Sequence, residues 1–289
     1  MKGVFSMGKP FTETLSLKPF TKWTGGKRQL LPDLNKLIPK DFNEYYEPFV
    51  GGGALLFDLQ PSSASINDAN EDLINAYRVI RDNVEELIEI LETHKINNTK
   101  EYYYEIRSLD RSNEFSKMSS IEKAARMLYM LRVNFNGLYR VNSKGQFNTP
   151  YGRYSNPKIV DRENLLNISK YLNQNIRIMN GDFYNCVQEA QANDFVYFDP
   201  PYVPLSTSSN FTSYTADKFN LQEQERLRDT FVELDNKGVY VMLSNSNSDI
   251  VYDLYHDYKD KIKTVDASRM INSNSKGRGK IKEVIITNY

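Results

Sequence analysis

The segment Asp199-Pro200-Pro201-Tyr202 is the strongest chemical signal in the sequence. Two consecutive prolines fix the backbone and remove two N–H groups, so the segment presents carbonyl oxygens without competing donors. The Asp199 carboxylate and the Pro200 carbonyl then suit the two N–H donors of an exocyclic amino group on a planar base, and Tyr202 offers a ring face for stacking. Acceptance of both hydrogens concentrates the nitrogen lone pair and makes a poor nucleophile better. The alternative is a proline-rich turn after a core strand.

A glycine-rich segment suits a second part of the same site. Phe49-Val50-Gly51-Gly52-Gly53 follows a short apolar run, and Asp68 lies 17 residues beyond Gly51. Glycines let the backbone approach a ligand closely and can open a helix whose N-terminus faces it. A carboxylate at Asp68, at the end of the next expected strand, can accept both hydroxyls of a ribose. The full G-x-G-x-x-G pattern is absent, which favours a nucleoside without phosphates over a pyrophosphate-bearing cofactor. A plain glycine turn is the alternative.

Two further segments suit a nucleotide site but are weak on their own. Residues 22–27, KWTGGK, place the only tryptophan between two lysines. This arrangement fits either a cationic nucleotide-binding segment or a structural tryptophan. Residues 181–183, GDF, follow an expected strand built on Ile176 and Ile178. The carboxylate of this segment could bind an adenine edge.

The charge distribution points toward nucleic acid although the totals do not. The 37 basic and 37 acidic residues balance to a net charge of zero. Residues 123–160, however, contain seven basic residues and no acidic one, and shorter acid-free basic runs cover residues 14–32 and 267–282. Such runs suit a surface that meets phosphates, although each could be an ordinary solvated face.

Apolar runs that stop at polar or glycine-rich loops predict the strands that position these residues. They cover residues 45–50, 64–66, 194–198 and 238–243, and residues 284–287 are read as a final strand. Amphipathic helical patterns over residues 69–91 and 221–234 alternate with them. The alternation predicts an α/β fold with ligands at the carboxyl ends of parallel strands.

The middle of the chain departs from this alternation. Helical patterns at residues 102–109 and 121–133 precede a loop-rich stretch, residues 134–156, without a convincing buried strand. We therefore expect an α-helical lobe, residues 70–165, inserted into a domain formed by residues 17–69 and 166–289.

Composition excludes several classes of protein. One cysteine and two histidines rule out an intramolecular disulfide and give no plausible His/Cys zinc site. The longest apolar run, about residues 49–57, is far too short for a membrane span, and the N-terminus lacks the apolar core of a signal peptide. We expect a cytoplasmic monomer that uses no metal and contacts no membrane.

Together, these segments resemble the Dam/DpnM type of DNA adenine-N6 methyltransferase, in the α group of amino-methyltransferases. The resemblance spans residues 22–289, and the motifs occur in the family's order. They are Lys22–Lys27, Glu47–Gly53, Asn67-Asp68, Asn134–Arg140, Phe147–Tyr154 and Asp199–Tyr202. The resemblance implies a Rossmann-like methyltransferase fold with a mostly parallel seven-stranded sheet and an inserted α-helical DNA-recognition lobe.

The resemblance also implies roles for individual residues. S-adenosylmethionine would be the methyl donor, held by residues matching Trp23, Lys27, Phe49, Gly51, Gly53, Asp68, Asp182, Phe183 and Asp199. Catalysis would fall to Asp199, Pro200, Pro201 and Tyr202. Family members methylate adenine within GATC in double-stranded DNA, with target contacts from residues matching Lys22, Asn136, Leu138, Arg140 and Pro150. Phe135 matches a position where an aromatic side chain enters the base stack.

Physical chemistry supports the recognition segment independently. An arginine can pair two donors with guanine O6 and N7, and an aliphatic side chain can contact a thymine methyl group. Arg140 and Leu138 lie two residues apart, so they could reach neighbouring base pairs. A phosphate contact or a surface position is the alternative for Arg140. Lys144, in the same acid-free run, is expected to contact phosphate.

Two other functions stay open from the sequence. An enzyme with the same chemistry could methylate cytosine N4 or an RNA base, because the Asp199–Tyr202 arrangement fits any planar amino group. A DNA-binding protein with an inactive site is the second, and the intact cofactor motifs speak against it. An adenine target in duplex DNA would have to leave the base stack, because its N6 is otherwise paired.

Overall fold

A seven-stranded sheet organises the computed structural model, which describes residues 15–203, 219–268 and 280–289. The strands are β1 Tyr45–Glu47, β2 Ser63–Asp68, β3 Asn175–Asn180, β4 Phe195–Phe198, β5 Tyr240–Ser246, β6 Ile262–Ser268 and β7 Lys280–Thr287. Their order across the sheet is β3-β2-β1-β4-β5-β7-β6. The first five strands pair in parallel, and β7 runs antiparallel to both β5 and β6. The predicted α/β fold with a mostly parallel seven-stranded sheet is confirmed.

Helices of varied length surround this sheet. Within the described residues they are α1 Leu31–Leu34, α2 Ala54–Leu59, α3 Glu71–Asp82, α4 Val84–Ile96, α5 Lys100–Ser108, α6 Glu114–Lys117, α7 Ser120–Val133, α8 Arg162–Leu172, α9 Phe183–Val187, α10 Leu221–Asn236 and α11 Asp249–Leu254. Short 3-10 turns cover Leu109–Arg111, Phe135–Gly137 and His256–Lys261. In the part of the chain that the structure describes, no helix is long and apolar enough to cross a bilayer.

The sheet separates two apolar cores. Along β4, Phe195 and Tyr197 pack into one core, and Val196 and Phe198 pack into the other. A strand that is buried on both faces has an unbroken apolar sequence. This burial is why the strand before Asp199 could be predicted clearly.

The pattern over residues 69–91 predicts one helix, but the structure has two. Asn83 separates α3 from α4 with a non-helical conformation, φ −139° and ψ 37°. Ser169 of α8 and Asn173, the residue that caps the C-terminus of α8, donate to the Arg81 carbonyl, Ser169 Oγ at 3.1 Å and Asn173 Nδ2 at 2.6 Å. These bonds satisfy a carbonyl at the end of α3 that a continuous helix would have bonded internally, so they stabilise the break.

Strand boundaries also differ from the predictions. β1 ends at Glu47 rather than at Val50, because Pro48 has no N–H with which to continue the ladder.

The strand β6 was not predicted from the sequence. Side chains such as Lys263 and Asp266 are exposed at this edge of the sheet, so the strand lacks the apolar run that marks the central strands.

The helical lobe and the sheet share one hydrophobic core. α3 packs against α7 and α8 on one side and against β2 and β3 on the other. Its side chains Leu73, Ile74 and Tyr77 belong to the same core as Ile66 of β2 and Ile178 of β3. α3 therefore connects the lobe to the sheet, and the boundary at residue 70 stays a prediction.

Candidate active site

The segment Asp199–Tyr202 follows β4 directly, at the carboxyl edge of the sheet. Lys27 Nζ lies 3.0 Å from Asp199 Oδ1 and 4.5 Å from the centre of the Tyr202 ring. The Asp199 side chain is 17% exposed. Burial raises the pKa of Asp199 to about 6, and the nearby Lys27 ammonium opposes that rise. The carboxylate is therefore ionised at neutral pH but holds its charge weakly.

The Asp199 carboxylate is buried, and the Lys27 ammonium lies beside it. The two prolines that follow Asp199 have no N–H to offer it. An ionised carboxylate has about four acceptor positions, so the ion pair with Lys27 leaves acceptor capacity unused. The site therefore suits a ligand that brings an N–H or O–H group to the Asp199 carboxylate.

Tyr202 is held by a carboxylate that was not predicted. Its hydroxyl donates to Glu283 Oε2 at 2.8 Å, and Glu283 of β7 pairs with Ser246 of β5. Burial, followed by the charge of Asp199, holds the pKa of Tyr202 well above its usual range, so the hydroxyl stays protonated. The sequence signal was a single acid directly before the apolar run 284–287.

A second acid, Glu47, lies behind the site. It is buried at the end of β1 and accepts a hydrogen bond from the Tyr45 hydroxyl at 2.9 Å. Burial raises the pKa of Glu47 to about 8, against the effect of the Tyr45 bond, and the charge of Asp199 adds to the rise. Glu47 is therefore largely neutral at pH 7, which spares Asp199 a buried like charge.

The glycine loop connects β1 to α2, and Asp68 ends β2. Asp68 Oδ2 accepts from Gly51 N at 3.1 Å, and Oδ1 accepts from Asn70 N at 2.9 Å. An ionised carboxylate has about four acceptor positions, so Asp68 retains capacity for two hydroxyl donors. At Gly53, where φ is +69°, a Cβ would lie 2.6 Å from the Tyr77 hydroxyl, so this position requires glycine.

Asp182 and Phe183 lie where β3 passes into α9, and both have partners that were not predicted. Phe183 packs against Phe49 with 5.4 Å between ring centres. The Asp182 carboxylate accepts from Tyr184 N at 2.9 Å and forms an ion pair with Arg226 of α10. Arg226 also lies over the Phe183 ring, 4.6 Å from its centre. An adenine that binds the Asp182 edge would have to share the carboxylate with Arg226.

The region formed by Lys27, the glycine loop, Asp68, Asp182 and Phe183 at the carboxyl edge of the sheet is called the cleft below. Trp23 connects this cleft to the helical lobe. A Cβ at Gly51 would lie 3.1 Å from Trp23 Cδ1, so the indole packs directly on the glycine loop. On its other side, the indole packs against Tyr139 with 5.3 Å between ring centres. The Tyr139 hydroxyl donates to Asp72 Oδ2 at 2.7 Å, which anchors this contact to α3.

Residues 134–152 fold back on themselves and are called the 134–152 hairpin below. Antiparallel bridges join Asn134 to Tyr151 and Val141 to Phe147. The hairpin carries all but one of the residues predicted to contact DNA. Phe135, Arg140, Lys144 and Pro150 are exposed, and Asn136 and Leu138 are half-buried. The remaining residue, Lys22, lies beside the hairpin, because a Cβ at Gly137 would lie 2.8 Å from Lys22 Cβ.

The Arg140 side chain is oriented by the opposite arm of the hairpin. Arg140 Nε donates to Asn148 Oδ1 at 2.6 Å, and one terminal nitrogen donates to the Asn148 carbonyl at 3.2 Å. A guanidinium has five N–H donors, so three of them are not used by Asn148. The Arg140 side chain is therefore exposed to solvent and held in one orientation by Asn148.

A charged network lies beneath the hairpin. Asp110 Oδ2 accepts from Phe147 N at 2.7 Å and lies 3.0 Å from a terminal nitrogen of Arg126. Arg111 donates to the Phe147 carbonyl at 2.7 Å. Both backbone groups of Phe147 are thus bound by the 3-10 turn Leu109–Arg111, which fixes the second arm of the hairpin.

The basic runs divide between these two regions. The run 14–32 supplies Lys27 to the cleft and Lys22 to the edge of the hairpin, and the run 123–160 includes the hairpin itself. In the run 267–282, Arg269, Lys276 and Arg278 lie outside the described residues. Within the described residues, no cluster of three or more His, Cys, Asp or Glu side chains is arranged to hold a metal ion.

Comparison with known proteins identifies the family. A sequence profile of the D12 class N6 adenine-specific DNA methyltransferases matches residues 23–271, a range that includes the cleft and the hairpin. The chain belongs to this D12 methyltransferase family. The predicted activity, adenine-specific methylation of DNA, is confirmed at this level.

Individual relatives align with this D12 methyltransferase over nearly its whole length. It is 59% identical over 276 residues to the type II methyltransferase M1.LlaDCHI of Lactococcus lactis subsp. cremoris, covering 95% of this chain and 96% of the relative. It is 43% identical over 293 residues to the type II methyltransferase M.MjaIII of Methanocaldococcus jannaschii, covering 95% and 100%. It is 32% identical over 271 residues to the DNA adenine methylase of Escherichia coli K12, covering 93% and 94%.

Proposed function

We propose that this D12 methyltransferase transfers a methyl group from S-adenosylmethionine to N6 of adenine within GATC in duplex DNA. The target adenine leaves the base stack and binds at the Asp199–Tyr202 turn. One observation carries the proposal. A buried carboxylate, Asp199, paired with Lys27 at 3.0 Å, stands at the carboxyl edge of the sheet directly before a pair of prolines that cannot donate.

The turn suits the adenine amino group chemically. Asp199 and the Pro200 carbonyl accept its two hydrogens and hold N6 in one orientation, and such positioning supplies a large part of a rate enhancement. The Tyr202 ring, fixed by Glu283, stacks against the base. When N6 gains a methyl group it must lose one hydrogen as a proton. Asp199, with a pKa of about 6, is close enough to neutrality to accept that proton.

The residues of the cleft fit S-adenosylmethionine. Asp68 has acceptor capacity for the ribose hydroxyls, Lys27 offers a cation to the carboxylate of the methionyl part, and Phe183 offers an apolar wall to the adenine ring. A Cβ at Gly25 or at Gly181 would meet no atom within 4 Å, so the backbone borders open space at both positions. When bound, the cofactor supplies a methyl group activated by a sulfonium.

The 134–152 hairpin suits recognition of the DNA base sequence. The free donors of Arg140 fit the O6 and N7 acceptors of guanine, and Leu138 fits a thymine methyl group. Lys22, Asn136 and Pro150 serve as further target contacts, and Lys144 contacts phosphate. Phe135, whose side chain is 49% exposed, can enter the gap that a departing adenine leaves, as apolar wedges do between base steps.

Product analysis tests the reaction and the target separately. Duplex DNA methylated by the enzyme is digested to nucleosides, and we expect N6-methyladenine; N4-methylcytosine would overturn the proposed chemistry. Sequencing of modified bases in DNA from cells that express the chain is expected to place them in GATC. Modification of adenine in a different sequence would overturn the target while leaving the reaction intact.

A fluorescent base tests the flipping step. Duplexes carry 2-aminopurine in place of the target adenine, and its fluorescence is expected to rise when the enzyme binds, because the base loses its stacking neighbours. A duplex with 2-aminopurine outside GATC serves as the control. Equal fluorescence from the two duplexes would contradict base flipping.

A further inference from the structure

The prolines of the Asp199–Tyr202 turn leave a gap in its backbone hydrogen bonds. Pro200 and Pro201 have no N–H, so neither residue can donate a bond that holds the turn. Catalysis nevertheless requires the Asp199 carboxylate and the Pro200 carbonyl to stay within about 0.5 Å of the productive arrangement. The prolines fix their own φ angles, but the hydrogen bonds that hold the turn in place must come from other parts of the chain.

Two buried amide side chains supply it. Gln224 of α10 and Asn245 of β5 are both 0% exposed. Gln224 Nε2 donates to the Pro201 carbonyl at 2.8 Å. Asn245 Oδ1 accepts from Val203 N at 3.2 Å. Together the two side chains bind the backbone on both sides of Tyr202.

The two amides also fix each other. Asn245 Nδ2 donates to Gln224 Oε1 at 3.2 Å. Since only the nitrogen of Gln224 can donate to a carbonyl, its oxygen must face Asn245, and the Asn245 oxygen is then left for backbone N–H groups. That oxygen also accepts from Ser246 N at 2.8 Å. The hydrogen bonds of each amide group therefore fix the orientation of the other.

The energetics favour a single arrangement of this network. A buried amide that loses its partner costs about 1–3 kcal/mol, so both side chains are stable only when the turn is in place. Networks of this kind are worth more than separate pairs, because each bond polarises the next. Both anchors lie on rigid elements, one in the first turn of α10 and one on a central strand.

We propose that Gln224 and Asn245 are positioning residues for methyl transfer. They hold the Pro201 carbonyl and the Val203 amide, so that Asp199 and the Pro200 carbonyl keep the spacing that an adenine amino group requires. Neither residue is assigned a contact with DNA or cofactor. The inference rests on the proposed role of the Asp199–Tyr202 turn.

Gln224→Met tests this role, because it keeps the length of the side chain and removes both of its amide bonds. We expect the single-turnover rate on a GATC duplex to fall by roughly 10- to 100-fold, the effect of a misplacement of about 1 Å. The affinities for cofactor and duplex are expected to stay unchanged. Asn245→Ala breaks the same network from a different element and is expected to give the same phenotype.

The matched control is Thr230→Val, on the same helix. Thr230 is 4% exposed, and its hydroxyl donates to the Arg226 carbonyl within α10 at 2.9 Å. The control therefore also loses a buried hydrogen bond on α10, but one that does not involve the turn. Its thermal stability is expected to fall as in Gln224→Met, while its methylation rate stays that of the wild type.

Two readouts separate positioning from simple destabilisation. In cofactor-free protein, hydrogen exchange at the Val203 amide is expected to accelerate in Gln224→Met and Asn245→Ala relative to the amides of β4, and not in Thr230→Val. The double variant is expected to be little slower than the slower single variant, because residues that act as a unit are not additive.

The inference is overturned if both variants match Thr230→Val in rate and in Val203 exchange. That result is distinguishable from failure of the proposed function. If the catalytic role of the turn is wrong, Asp199→Ala itself retains near-normal methyl transfer. If only the positioning role is wrong, Asp199→Ala is inactive while Gln224→Met remains fast.

Discussion

The Asp199–Tyr202 turn and the 134–152 hairpin are held in opposite ways. The turn is fixed by uncharged amides of Gln224 and Asn245, which are 0% exposed. The hairpin is fixed by an ionic network around Asp110, in which Asp110 and Arg126 are buried and the Arg111 side chain is 32% exposed. Salt screens exposed charges more than buried ones. The comparison implies that high salt weakens the Arg111 contact of the hairpin before it affects the turn.

The two regions also differ in what they leave free. The turn offers the buried Asp199 carboxylate, and its two prolines add no competing N–H donor. The hairpin exposes a long side chain, Arg140, that is already directed by Asn148. A reacting group gains from a fixed, dry environment, whereas a group that reads a base edge must reach out of the protein. The following predictions break one region at a time.

The largest effect is expected from Asp199→Ala. The variant loses one of the two acceptors for the adenine amino group and the group that takes its proton. Turnover should fall by roughly 100- to 10,000-fold, while duplex affinity is kept. Single-turnover methylation with labelled cofactor checks the rate. Asp229→Ala, which removes an exposed acid on α10, is the control. Near-normal methylation by Asp199→Ala would contradict the catalytic role of Asp199.

Asp68→Ala should weaken cofactor binding without changing the hairpin. Loss of the proposed bonds to the ribose hydroxyls should cost about 1.5–3 kcal/mol, the range for hydrogen bonds to a charged group. Calorimetry with S-adenosylmethionine and no DNA measures this loss. An unchanged affinity would make Asp68 a strand-end residue that only binds Gly51 and Asn70.

Arg140→Ala should relax base discrimination at one base pair of GATC and leave discrimination at the other positions unchanged. A lost bidentate base contact is expected to cost roughly 1–3 kcal/mol at that position. Methylation rates on GATC and on every single-base variant check the effect. Lys144→Ala is the matched control on the same hairpin. It should weaken all duplexes alike and lower the slope of log affinity against log salt by about one.

If Arg140→Ala instead slows all substrates equally, Arg140 does not read sequence. The role would then pass to Asn136, Leu138 or Lys22. A salt slope that falls in Arg140→Ala and stays constant in Lys144→Ala would reverse the two assignments.

The pH dependence of the rate should follow Asp199. Because its pKa is raised to about 6, the carboxylate is protonated below that pH and can no longer take the proton that N6 releases. At saturating cofactor, the single-turnover rate should fall about tenfold per pH unit below the inflection. Lys27→Met removes the charge that opposes the rise, so the inflection should move to higher pH. A flat profile, or a shift to lower pH in Lys27→Met, would contradict this role.

Much of the fold could be predicted because it follows from local patterns. β4 is buried on both faces, so its apolar run and the turn after it were visible in the sequence. Asp68 and Tyr202 each follow such a run, whereas Lys27 was visible through the segment of lysines and glycines at residues 22–27. The stretch 134–156 was visible as a loop-rich part of an acid-free run, but the bridges that make part of it a hairpin were not predicted.

The supporting contacts could not be predicted, because their partners are distant in sequence. Gln224 looks like any polar residue of a charged amphipathic helix, and only packing places it 2.8 Å from the Pro201 carbonyl. The same holds for Arg226, which meets Asp182, and for Asp110, which binds the Phe147 amide across 37 positions. Such bonds depend on tertiary structure and leave no periodic signal.

The central claim is that the Asp199–Tyr202 turn carries out methyl transfer and the 134–152 hairpin reads the DNA sequence. The most direct test of this division measures the methylation rate and the base discrimination together in two variants. For Asp199→Ala and Arg140→Ala, duplex affinities are measured on GATC and on each single-base variant, along with the single-turnover rate on saturating GATC. We predict that Asp199→Ala keeps the wild-type ratios of affinity but loses the rate. Arg140→Ala should keep the rate but lose the ratio at one base pair. The division would be contradicted if Asp199→Ala lost discrimination, or if Arg140→Ala lost the rate on bound GATC while its discrimination stayed intact.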